Sequence, residues 1–75
     1  MNTAEQIKKH ETLIEILEAI KTFKQRIHNA KWDIEWGFIG QFPRLRSEYI
    51  HRIEIYQMCI ARLEERYLNL IKQIK

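Results

Sequence analysis

Gly37-Phe38-Ile39-Gly40-Gln41-Phe42-Pro43 decides how this chain folds, because it holds both glycines and the one proline of 75 residues. Gly37 suits the left-handed position that often follows a helix end, and Pro43 suits the first turn of a new helix. Residues 37–43 are therefore expected to be a turn between two helices.

Upstream of the turn, Leu13, Ile16, Ile20, Phe23, Ile27, Ala30 and Ile34 recur at alternating spacings of three and four. That is a heptad seam, the apolar line along which one helix packs on another. Ile7, Ile14 and Leu17 flank it and widen the apolar stripe. Thr3 and Gln6 have the spacing of a capping box, in which each side chain satisfies a free backbone N–H of the other. A first helix is expected from about Thr3 to Trp36, roughly 50 Å long at 1.5 Å per residue. Downstream, Tyr49, Ile53, Tyr56, Ile60, Leu63, Tyr67, Leu70 and Ile74 form a second seam, with Leu45, Ile50, Cys59, Leu68 and Ile71 beside it. A second helix is expected over about residues 44–74. Two helices of similar length joined by a short loop form an antiparallel hairpin. The fold class is all-α, one domain over residues 1–75.

Each seam is wider than a single partner helix can cover. Burying an Ile or Leu side chain is worth roughly 1.5–3 kcal/mol, while domains this small retain only about 3–5 kcal/mol. Leaving half a dozen such residues in water is therefore unfavourable. The expected state is a homo-oligomeric helical bundle, most simply a dimer of hairpins, with Ile-rich seams allowing three or four strands.

Composition narrows the function. The chain is 45% hydrophobic and 31% charged, too apolar for disorder and too charged for a membrane span. No run approaches the ~18 apolar residues of a spanning helix, and the first residues lack a signal peptide's apolar centre. No membrane partner is expected. Cys59 stands alone, so no internal disulfide is available and a reducing cytoplasm is the expected location. The hydroxyls of Thr3, Thr12, Thr22 and Ser47 have no base at a spacing that marks a nucleophile–base pair. His10, His28 and His51 form no His-x-x-x-His or Glu-x-x-His pair. Neither catalysis nor a metal or cofactor is expected.

The turn carries more chemistry. Trp32 and Trp36 stand four apart, Phe38 and Phe42 follow, and Lys31, Arg44 and Arg46 surround them. Aromatic faces beside guanidinium groups stack on bases and hold phosphates, and a helix N-terminus favours anions. The same aromatics would also serve as a plug for the closed end of a hairpin, so both readings stand. Residues 1–36 hold six Lys+Arg and six Asp+Glu, whereas residues 44–75 hold seven and four. The net +3 thus belongs to the second helix, with Arg44, Arg46, Arg52, Arg62 and Arg66. An ion-paired solvated face accounts for such charges, and +3 is modest for a duplex binder. Nucleic-acid binding through that helix ranks third among the functions. Tyr49, Tyr56 and Tyr67 all fall on the seam, either at its wet edge or lining a polar cavity between protomers.

Trp36-Gly37-Phe38-Ile39-Gly40, leading into the helix that contains Arg52, resembles a motif of the phage anti-CBASS cyclic-nucleotide sponges. In that family a Trp-x-x-Ile-small run opens a helix whose basic and small polar residues reach ligand phosphates. Thr3-Ala4-Glu5-Gln6-Ile7 resembles the start of the family's long first helix. The resemblance covers some ten residues. Gln41-Phe42-Pro43 departs from it, standing where the family carries a basic residue followed by Thr, and the second helix here is longer. It implies a small all-helical homo-oligomer that sequesters cyclic di- or trinucleotide immune signals without destroying them, in the cytoplasm of a phage-infected cell. Carried over, Arg44 and Arg46 take the phosphate role and Trp36 the support behind it; Trp32, Phe42 and Lys31 join the candidate ligand residues from the chemistry of the turn alone. The leading expectation is a non-enzymatic small-ligand sponge. The alternative is a structural or adaptor bundle that binds protein helices alone.

Overall fold

A computed structural model describes residues 3–74 and is all-α. Helix α1 spans Thr3–Glu35, a 3₁₀ turn spans Phe38–Gln41, and helix α2 spans Pro43–Ile74. Together they make a helical hairpin, a rod of 58 × 15 × 13 Å. Thr3 is itself the first helical residue, so the cap position before α1 lies outside the described residues.

The two seams face each other. Among the described residues the buried side chains are Ile16, Ile20, Ile53 and Ile60, Ile16 being only 3% exposed. Ile16, Ile20 and Ile60 form one cluster, with Phe23, Ile27, Leu63, Tyr67 and Leu70 packed against it. Phe23 also meets Tyr56, ring centroids 5.6 Å apart. Leu13 and Tyr49 are half-buried at their seam positions. Every seam position is thus buried or half-buried, as a 3.5-residue repeat requires of two packed helices. Of the flanking positions, Cys59 and Ile71 are half-buried, but the others are not. Ile7, Ile14, Leu17, Leu45, Ile50 and Leu68 remain exposed on the single hairpin.

The turn is built differently from the expectation. Gly37 is not left-handed: its φ is −98° and ψ −176°, and no described residue has a positive φ. Helical hydrogen bonding continues through Trp36, whose N–H donates to the Trp32 carbonyl at 2.8 Å, and Gly37, which donates to Asp33 at 3.2 Å. The chain then extends and is reversed by the 3₁₀ turn, so no left-handed cap is needed. What requires glycine is space. A Cβ at Gly37 would lie 2.7 Å from the Asp33 carbonyl oxygen, and one at Gly40 would collide with that of Ile34. The second helix begins one residue earlier than expected, at Pro43. Phe42 before it is extended (φ −113°, ψ 105°), as a residue preceding proline prefers. Its N–H donates to Ile39 at 3.1 Å and its carbonyl accepts from the Arg46 N–H at 2.9 Å. Pro43 has no N–H to leave unpaired there.

Gly40→Ala should lower stability by about 1–3 kcal/mol, since the atom in its way is backbone. A thermal melt at fixed protein concentration checks this. An unchanged midpoint would mean that the turn can relax around the added methyl.

Candidate functional site

The expected ligand residues cluster at the closed end of the hairpin, where they form two separate aromatic pairs. Trp32 and Trp36 lie 5.9 Å apart with rings tilted by 34°, and Phe38 and Phe42 lie 4.8 Å apart, tilted by 53°. Both pairs face water: Trp36 is 72% exposed and Phe38 68%. They do not plug the end. The half-buried residues of the turn are Gly37, Ile39 and Gly40. Lys31, Arg44 and Arg46 are exposed. Among the described residues no side-chain hydrogen bond or cation–π contact joins these cations to either aromatic pair. The N–H groups of Arg44 and Leu45, in the first turn of α2, fall outside the helical ladder, as the start of any helix leaves them.

Along the rod, the two sides of the seam differ in chemistry. On one side Leu17 of α1 and Leu68 of α2 line a shallow hollow of about 300 Å³ with Ile20, Lys24, Glu64 and Tyr67. The same side continues over Lys21 and His28. On the other side the edge positions recur every seven residues: Thr12, Ala19, Arg26 and Asp33 on α1, and Arg52, Cys59, Arg66 and Gln73 on α2. Arg26 and Arg52 meet there across a hollow of about 280 Å³ that also contains Asn29, Asp33, Tyr49 and Tyr56. The Arg26 guanidinium lies 5.8 Å from the Phe23 ring centre and 6.0 Å from that of Tyr56, and Arg52 lies 5.5 Å over Tyr49. Such cation–π contacts hold a guanidinium in place at little cost to its charge.

The seam tyrosines are all half-buried. No buried side-chain oxygen or nitrogen among the described residues lacks a hydrogen-bond partner, so no phenol is trapped dry. Cys59 is half-buried, and His10, His28 and His51 are exposed. Among the described residues no three His, Cys, Asp or Glu side chains converge on a metal-sized site, and no helix is long and apolar enough to cross a membrane.

Sequence reasoning placed no site at Arg26, Asn29 or Asp33. A signal was present: Phe23 and Arg26 on one helix, and Tyr49 and Arg52 on the other, share an aromatic-x-x-Arg spacing that stacks ring and guanidinium on one face. The packing of the two helices brings both copies of that signal to one cleft.

No protein-family model matches this chain, and neither a curated protein nor a solved structure does.

Proposed function

We propose that this chain is a non-enzymatic binding module that works as a homo-oligomer, antiparallel hairpins joining along the side that carries Leu17 and Leu68. The observation that supports it is the ratio of core to surface: among the described residues, four buried apolar residues against twelve large apolar residues that stay exposed. Those twelve include Ile7, Ile14, Leu17, Ile50 and Leu68, which lie beside the seam rather than scattered over the polar faces. A single pair of helices this thin is marginal by itself, and a broad exposed apolar strip marks an interaction surface. Sedimentation equilibrium at micromolar concentration should return a mass at least twice 9.2 kDa. A solitary 9.2 kDa particle would overturn self-association and leave that strip to a helix of another protein, the adaptor reading.

A second role is supported by the exposure of the turn aromatics, which a plug would have buried. In this reading Trp32, Trp36 and Phe42 stack on the bases of a cyclic di- or trinucleotide, and Arg44, Arg46 and Lys31 neutralise its phosphates. The oligomer then acts as a sponge of the type that the Trp36–Gly40 run resembles. Cyclic oligonucleotides should raise the melting temperature, and Arg44→Ala with Arg46→Ala should abolish the rise while leaving the oligomer intact. A flat thermal-shift screen across such ligands would remove the sponge and leave the assembly.

A further inference from the structure

We propose that the cleft between Arg26 of α1 and Arg52 of α2 is a binding site for the phosphoryl group of a small phosphorylated compound. The two guanidinium groups come from different helices, and each is already held over a ring. Arg26 lies against Phe23 and Tyr56, and Arg52 against Tyr49. Their forks are therefore oriented before a ligand arrives, which reduces the side-chain entropy lost on binding. Arginine in this setting is the better phosphate binder, because two parallel N–H groups match two phosphate oxygens.

The remaining lining suits the same ligand. The Asn29 Oδ1 accepts a hydrogen bond from the Gln25 Nε2 at 3.1 Å, which leaves the Asn29 amide N–H₂ as a donor. Tyr49 and Tyr56 also line the cleft, and each carries a hydroxyl able to donate. Asp33 is the one acid there, so two cations face one carboxylate and the cleft stays net positive. The open hollow of about 280 Å³ has room for a phosphoryl group between the two arginines. The site lies across the seam from Leu17 and Leu68, so assembly along the apolar side leaves it open. It also shares no residue with the turn, and the two anion sites are separable by mutation.

Titration calorimetry on the full chain with inorganic pyrophosphate at low salt should show saturable binding. Arg26→Gln and Arg52→Gln should each weaken it by at least about tenfold, as expected for loss of a charge-assisted bidentate contact. Arg44→Gln with Arg46→Gln removes any contribution from the turn, and in that background Arg26→Gln and Arg52→Gln should still weaken what binding remains by the same factor. Because Arg26 packs over two rings, Arg26→Lys provides a second variant that keeps stem and charge but loses the fork; it should weaken binding while helicity by circular dichroism matches the parent. A short DNA duplex titrated in parallel should bind no more tightly than pyrophosphate. The absence of pyrophosphate binding would overturn the proposal, as would full binding by the Arg26 and Arg52 variants. So would a duplex affinity whose salt dependence shows release of many counterions, since that would place a polymer rather than a small phosphate on this side.

Discussion

Ile60→Asp is expected to remove the helical signal altogether, not merely to lower the melting temperature. Ile60 is 8% exposed and packs with Ile16 and Ile20 at the centre of the hairpin. No cation lies in that cluster to pair with a carboxylate. Burying an unpaired charge costs several kcal/mol, or the group must take up a proton. Either cost approaches the roughly 3–5 kcal/mol that a domain of this size retains. The neighbouring substitution Ile55→Asp is the control. Ile55 is exposed on α2, so a charge there should change stability by no more than about 0.5 kcal/mol. Far-ultraviolet circular dichroism on the two variants decides the matter. A folded Ile60→Asp protein would mean that the hairpin can rotate its seam, and the packing described above would not be the stable one.

The second large effect concerns assembly. Leu17→Lys combined with Leu68→Lys is expected to raise the dissociation constant of the oligomer by at least about 100-fold. Leu17 is 47% exposed and Leu68 59%, so neither contributes much to the core of one hairpin. Both line the same hollow, beside Lys24. In a symmetric interface each substitution occurs twice. Each copy loses about 1 kcal/mol of apolar burial, and the added cations face both Lys24 and Glu64, so charge is counted as neutral. Four such losses exceed the roughly 2.7 kcal/mol that corresponds to 100-fold. Sedimentation velocity over a dilution series reads the change. If the variant keeps the parent's mass down to nanomolar concentration, the interface lies elsewhere on the rod.

Much of this architecture was legible in the residue order. The three-and-four spacing picked out Ile16, Ile20, Ile53 and Ile60, and these became the buried core. It worked because a heptad pattern is local: each residue's place on its helix follows from its number alone. The helix ends were read to within a residue for a similar reason, since Gly37 is a poor helix former and Pro43 fits a helix only in its first turn. The turn itself was less legible. A glycine after a helix is commonly left-handed, but Gly37 is extended because the chain makes its reversal through a 3₁₀ turn that presses Gly40 against the Ile34 carbonyl. The side chains at the turn were read as one aromatic and basic group. Their separation into two solvent-facing pairs, without a cation–π contact to Arg44 or Arg46, depends on the path of that turn.

Residue spacing by itself determined that this chain makes two helices of matched length, which face of each is apolar, and that the apolar faces are too wide for one hairpin. Those properties depend on helical period and side-chain hydrophobicity, which act within a few residues. Only the tertiary structure decided that Arg26 and Arg52, 26 positions apart in the chain, share one cleft while Leu17 and Leu68 share another. That outcome rests on the register between the helices. The geometry of a seven-residue turn sets the register, and no pattern within either helix encodes it.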